Sequence, residues 1–168
     1  MYRTRRVCRG LFLLMAMLPA MLMAAQMKPF KGPTPPLVLE DTHGKLHRLA
    51  DYKGKVVLLQ FWATYCTPCR REMPSMNRLL GKMHGKLVIL AINMGETREE
   101  VEAFMKQVGV KFPVLLDKDG KTLEKWKVFA APSNFLLDKT GTIRYTLFGG
   151  VDWDSDAMVA FLNKLAEQ

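Results

Sequence analysis

A chain of 168 residues, 49% hydrophobic and 24% charged, is long enough for one domain with a real core, too short for two ordinary ones, and too apolar to be disordered in bulk. The formal charge of +9 includes Arg3, Arg5, Arg6 and Arg9 in residues 1–26, which hold no acid; the remainder carries 21 Lys+Arg against 16 Asp+Glu. That balance reads as a solvated surface, and with no Lys/Arg stripe interleaved with aromatics, no nucleic-acid partner is expected.

Arg3 to Arg9 followed by the apolar run Leu11 to Ala25 predicts an export signal or a membrane anchor over residues 1–26. The run falls short of the ~20 residues of a spanning helix, and Pro19 interrupts it. Ala24 and Ala25 offer a cleavage point, but Leu22 or Met23 would occupy the position where a small residue is preferred. Both fates stay open, and either puts the domain in the periplasm or another extracytoplasmic space, free or held by a membrane tether. Cys8 precedes the apolar run, so it is not placed as a lipoprotein cysteine. Residues 27–36, with Pro29, Gly32, Pro33, Pro35 and Pro36, read as an extended linker, and the domain proper is expected over 37–168.

Leu37-Val38-Leu39 and Lys45 to Leu49 flank the turn Asp41-Thr42-His43-Gly44 and predict an N-terminal β-hairpin. Val56 to Trp62 is a continuous run of β-formers, the pattern of a strand buried on both faces. A helix follows to about His84, carrying Met73, Met76, Leu79, Leu80 and Met83 on its apolar face and Pro74 inside it as an expected kink. Leu87 to Ile92 is a second strand; Thr97 to Val108 is a helix whose Thr97 and Glu100 form a capping box. Val114 to Leu116, Ser133 to Leu137 and Thr142 to Phe148 are further strands. Residues 121–129 form a short helix or turn, and Asp154 or Ser155 caps a last helix to Ala166. Strand–helix alternation ending in a hairpin and a helix implies an α/β fold with a mixed central sheet flanked by helices.

Cys66-Thr67-Pro68-Cys69 opens the helix that follows the first buried strand. A disulfide exchanger needs one accessible thiol that is partly thiolate and a second thiol near enough to expel the mixed disulfide. The free N–H groups of a helix N-terminus favour an anion at Cys66, and Cys69 lies one turn deeper. Cys66 is therefore the expected nucleophile, Cys69 the resolving thiol, and Cys66–Cys69 a redox-active disulfide that needs no further cofactor. A structural bridge would close a loop too short to constrain the unfolded chain much. A zinc site needs about four ligands, and His43 and His47 lie on a separate hairpin, so no metal is expected. Covalent haem attachment needs His after the second cysteine, where Arg70 stands.

The segment from Phe61 to Pro74, with Gly54-Lys55-Val56-Val57-Leu58 before it and Pro132-Ser133-Asn134-Phe135-Leu136-Leu137-Asp138 after it, resembles the TlpA/ResA/DsbE-type thioredoxin-like proteins. The resemblance covers roughly residues 35–168. It implies a thioredoxin-like three-layer sandwich and extracytoplasmic thiol–disulfide exchange with protein substrates. A common task of the family is reducing apocytochrome c before haem attachment, with electrons from a membrane thiol-transfer protein. It also implies a cis-proline at Pro132, exposing backbone groups of Ala131 that align a substrate beside Cys66, with Trp62, Tyr65 and Pro68 shaping the docking surface. Ordinary thioredoxins carry a buried acid where this chain has Gln60, which cannot take a proton. Glu72, one helical turn after Cys69, matches the family's active-site glutamate and is the expected proton shuttle for Cys69.

Other chemistries on the same residues are an oxidase or isomerase, a thiol peroxidase and a metallochaperone. Cysteine spacing alone fixes direction poorly, because exchangers with this spacing range from about −270 to about −120 mV. A peroxidatic cysteine sits in a Thr-x-x-Cys context, whereas Thr64 is two residues from Cys66.

Overall fold

The computed structural model describes residues 27–168; the expectations for residues 1–26, Cys8 included, lie outside them. The strands are β1 (Met27–Pro29), β2 (Val38–Glu40), β3 (Leu46–Arg48), β4 (Val56–Trp62), β5 (Leu87–Asn93), β6 (Val114–Leu116), β7 (Ser133–Leu137) and β8 (Ile143–Phe148). The helices are α1 (Thr67–Lys82), α2 (Arg98–Val108), α3 (Lys121–Lys125) and α4 (Asp156–Glu167). Six strands form one mixed sheet in the order β1-β8-β7-β4-β5-β6, while β2 and β3 pair as a separate hairpin.

β4 is central, parallel to β5 and antiparallel to β7, and all seven of its residues are buried. Side chains alternate between the two faces of a strand. Val56, Leu58 and Trp62 pack with Met73, Met76 and Leu79 of α1, Val101 and Phe104 of α2, and Met158 and Leu162 of α4. Val57, Leu59 and Phe61 pack on the other face with Leu37, Leu49, Trp126 and Phe135. This is why the strand reads as a continuous apolar run rather than an alternating one. The Thr97 capping box of α2 forms, with the Glu100 amide donating to Thr97 Oγ1 at 3.3 Å. Gly109 follows in the left-handed conformation that ends a helix (φ 70°).

Residues 27–36 are not a free linker. Met27, Lys28 and Pro29 pair with Leu147, Thr146 and Tyr145 as the edge strand β1. Beyond it, the Phe30 amide donates to the Arg144 carbonyl (2.9 Å), and Thr34 Oγ1 accepts from the Ile143 amide (2.9 Å). Proline is tolerated on an edge strand, where one side of the backbone needs no partner; Met27–Pro29 therefore belong to the sheet rather than to a linker.

The hairpin is fastened by one carboxylate. Asp41 Oδ1 accepts from the amides of His43 (2.8 Å) and Lys45 (3.0 Å), and Oδ2 meets Nε2 of the buried His47 at 2.8 Å. The other ring nitrogen of His47 bonds to the Tyr52 hydroxyl. Asp41 also bridges to Leu115, and the Thr42 amide donates to the Val114 carbonyl (3.1 Å), so the hairpin covers the open edge of β6. Burial works to raise the Asp41 carboxyl, but the bonds from His47, Lys45 and His43 outweigh it and hold it below the usual carboxylate range. A depressed carboxyl stabilises the fold above its unfolded pKa and loses that contribution as pH falls through its folded value. Asp41→Ala should therefore cost about 2 kcal/mol near neutrality. In denaturant titrations the gap to the parent should close as pH falls below about 4.

Candidate active site

The last residues of β4 lead through Ala63, Thr64 and Tyr65 to Cys66, the N-cap of α1. The Cys66 amide donates to the Ala63 carbonyl (3.1 Å), and the Arg70 amide donates to the Cys66 carbonyl (3.1 Å), which starts the helix. Pro68, within the first turn, has no N–H to leave unpaired. Cys66 and Cys69 form a disulfide with Cα atoms 5.3 Å apart. The Cys69 amide donates to Cys66 Sγ at 3.3 Å, so the helix terminus presents an N–H to that sulfur. Cys66 is 7% exposed and Cys69 0%, leaving Cys66 the more approachable of the two.

Glu72 is buried one turn into α1. Its Oε1 accepts from the Val151 amide at 2.7 Å, and its Oε2 accepts from Gln60 Nε2. Burial is the largest influence and raises its pKa to about 7, against the lowering effect of the Val151, Trp153, Asn134 and Gln60 donors. Of these, the Trp153 indole and the Asn134 amide lie near the carboxyl without completing a hydrogen bond.

Glu72 belongs to a row of attachments along α1. Gly150 abuts Pro68 closely enough that a Cβ on it would lie 3.7 Å from the Pro68 Cβ. Val151 bonds to Glu72, the Trp153 amide donates to Ser75 Oγ (3.1 Å), and Arg78 grips the Asp154 carboxylate through Nε (2.8 Å) and Nη2 (2.9 Å). The loop after β8 is thus laid along one face of α1 at helical spacing. Asp154 is committed to Arg78, and Ser155 takes the N-cap position of α4, its hydroxyl donating to the Asp152 carbonyl (3.1 Å). The same loop also reaches the segment before β7: the Gly149 amide donates to the Pro132 carbonyl at 3.4 Å. The Ala131–Pro132 bond is cis, with Ala131 half-buried and Pro132 buried.

Tyr65 is 76% exposed beside Cys66, and Pro68 is half-buried. Trp62 does not belong to the docking surface expected for it. It is fully buried, its ring centroid 4.9 Å from that of Phe104, because its place in the β4 alternation turns it onto the α1 face. Phe104 in turn carries the Arg70 guanidinium 5.3 Å above its ring. Glu96 escapes a reading of the sequence. Its carboxylate accepts from the Thr64 amide (2.8 Å), the Thr64 hydroxyl and Asn93 Nδ2 (2.6 Å), tying the turn before Cys66 to the end of β5. The one signal for it is an acid placed just after Gly95 at the end of a buried strand. Among the described residues no group of three or more His, Cys, Asp or Glu is arranged to hold a metal, and His47 is spent on Asp41 and Tyr52.

A mixed sheet sandwiched by helices, with a buried disulfide-bonded cysteine pair opening the helix after the central strand, defines a thiol–disulfide oxidoreductase of thioredoxin-like fold. Comparison with known proteins agrees. The thiol-disulfide oxidoreductase ResA of Geobacillus kaustophilus is 44% identical over 117 residues, 68% of this chain and 67% of that one. The ResA protein of Bacillus subtilis is 44% identical over 110 residues, 65% of this chain and 62% of its own length. Among solved structures, a proposed thiol:disulfide interchange protein DsbE from Chlorobium tepidum superposes with a TM-score of 0.74 at 29% identity, covering 83% of this chain and 99% of that one. The chain belongs to the AhpC/TSA family, whose model matches residues 26–146.

The Glu72 pKa of about 7 has a consequence for stability. The folded state holds a proton that the unfolded chain releases near 4.5, so stability falls as pH rises from that value to about 7 and then levels off. The fall should be on the order of 3 kcal/mol in the oxidised protein. Glu72→Gln should flatten it, as denaturant titrations across that range would register.

Proposed function

We propose that this oxidoreductase works outside the cytoplasm as a reductase of protein disulfides, with Cys66 as nucleophile, Cys69 as resolving thiol and Glu72 as proton acceptor for Cys69. The observation that carries the reading is the asymmetry of the pair. Cys66 stands at the helix N-terminus with an N–H aimed at its sulfur, while Cys69 is sealed in the core one turn from Glu72.

In the reducing direction the Cys66 thiolate attacks one sulfur of a substrate disulfide. An S–S bond to the substrate forms, the substrate S–S bond breaks, and the leaving thiolate takes a proton from water. Cys69 then yields its proton to the Glu72 carboxylate and attacks Cys66 Sγ, expelling the second substrate thiolate and leaving the Cys66–Cys69 disulfide. Two electrons pass from the protein dithiol to the substrate. A dithiol of a membrane thiol-transfer protein restores them, and Glu72 returns its proton to Cys69. Tyr65 and Pro68 flank Cys66 along the chain, and the family resemblance supports Ala131 and Pro132 as the groups that dock the substrate chain beside it. The resemblance of the Phe61–Pro74 segment to the TlpA/ResA/DsbE-type proteins supports the reductive assignment, and cysteines of apocytochrome c awaiting haem are the substrate class it implies. The basic, apolar leader supports export and a station near a membrane.

Two measurements test the scheme. Cys69→Ser should trap mixed disulfides through Cys66 and Cys66→Ser should trap none; faster alkylation of Cys69 than of Cys66 in the reduced protein would reverse the two roles. Equilibration with glutathione or thioredoxin couples should give a reduction potential at or below about −200 mV. A potential near −120 mV, with the protein fully oxidised in intact cells that contain the donor, would turn the function to disulfide formation.

A further inference from the structure

Two buried side-chain amides stand beside Glu72. Gln60 of β4 and Asn134 of β7 are cross-strand partners, both 0% exposed, and the strand alternation turns both toward α1. Gln60 Nε2 donates to Glu72, but its Oε1 has no partner, and neither polar atom of the Asn134 side chain has one. The Trp153 indole N–H above them is also unpaired. Buried polar atoms normally find partners, so this concentration of unspent donors and acceptors around one carboxyl calls for a reason.

The two protonation states of a carboxyl make opposite demands. An ionised carboxylate accepts only, whereas a protonated one must also donate its O–H. In the ionised state Glu72 is served by the Val151 amide and Gln60 Nε2. Once protonated it needs an acceptor, and the unspent ones beside it are Gln60 Oε1 and Asn134 Oδ1. A side-chain amide carries a donor and an acceptor at its two ends, and a half-turn about its last bond exchanges them. The amide offers both without a charge of its own.

We propose, resting on the reading of Glu72 as proton acceptor, that Gln60 and Asn134 are positioning residues. They offer donors to Glu72 when it is ionised and an acceptor when it is protonated, so a proton enters and leaves a closed core without exposing it. The step they serve is the transfer from Cys69–SH to the Glu72 carboxylate, which leaves a Cys69 thiolate and a neutral Glu72, and its reversal when the dithiol is regenerated. Facing Glu72 are Gln60 from β4, Asn134 from β7, Val151 and Trp153 from the loop after β8, and Cys69 and Ser75 from α1 itself. Arg71, Arg78 and Asp152 border the open groove beside it, and none of them bonds to the carboxyl among the described residues.

Threonine and valine at position 134 have nearly the same shape and both suit a strand, but only threonine can donate and accept. The reduced full-length protein is mixed with an aromatic disulfide that releases a coloured thiol at each step. The second release reports attack by Cys69 on the mixed disulfide, followed by stopped flow across pH. Asn134→Val should slow that release about tenfold and move its pH midpoint upward, and Asn134→Thr should restore both to within about twofold of the parent. Parent-like profiles in both variants would overturn the proposal. So would an equal slowing of both with an unmoved midpoint, which would mark Asn134 as packing alone. If the valine variant fails to fold, Asn134→Ser against Asn134→Ala makes the same contrast with smaller side chains. Glu72→Gln, run in parallel, separates the two readings. A parent-like profile there removes Glu72 as proton acceptor, whereas an altered one with parent-like Asn134 variants removes only the role of the amides.

Discussion

The burial of one carboxyl organises the active-site half of this protein. Glu72 is taken out of water by α1, β4 and the loop after β8, and such burial is tolerable only where hydrogen bonds replace the lost solvent. Val151 and Gln60 supply those bonds, and by doing so they fix the position of elements far apart in the chain. Val151 is bonded to Glu72 across 79 residues of sequence, and the loop that carries it continues to Ser75 and Arg78 in one direction and to Pro132 in the other. The carboxyl is therefore both a chemical group and a peg. The helix that bears the cysteines and the loop after β8 are held together through it.

A second carboxylate secures the turn that leads into the disulfide. Glu96 is half-buried, accepts three hydrogen bonds and holds the turn of Thr64 against the end of β5. The cysteine loop is thus gripped from β5 by Glu96 and from the loop after β8 by Glu72. What differs is solvent. The nearly sealed site leaves Glu72 close to the midpoint of its titration at neutral pH, the condition in which a group passes protons most readily.

Much of this was legible in the order of residues, and the failures have physical causes. Strand β4 and the dithiol are local patterns: a β-rich apolar run, a helix start, and two cysteines three apart. The pairing of Gln60 with Glu72 was half visible, because an amide in place of an acid on a buried strand invites a search for the acid elsewhere. The loop from Gly149 to Asp154 carries no such mark. Its order comes from bonds to Glu72, Ser75 and Arg78, each more than 70 residues away, and no window of sequence contains both ends. Trp62 departs from the docking surface that the resemblance implies because the strand alternation sends it inward. Residues 27–36 read as a linker because prolines signal an extended chain without saying whether an edge strand waits beside it.

That edge strand decides at which rim the described chain enters the sheet. β1 runs antiparallel to β8, so it begins where β8 ends: Met27 lies across from Leu147, two residues before the Gly149 that is bonded to Pro132. The chain enters the domain at the rim that carries the disulfide, not at the opposite rim where the turn of Asp138 to Gly141 lies. Were the domain held by a leash at Met27, the pull would fall on the working rim directly. The reach of Cys66 from an anchorage would then be the span of the leash itself, with no need to add or subtract the roughly 20 Å length of a strand like β8. Lengthening the leash would widen the territory the dithiol can serve; shortening it would turn the dithiol toward whatever holds the other end.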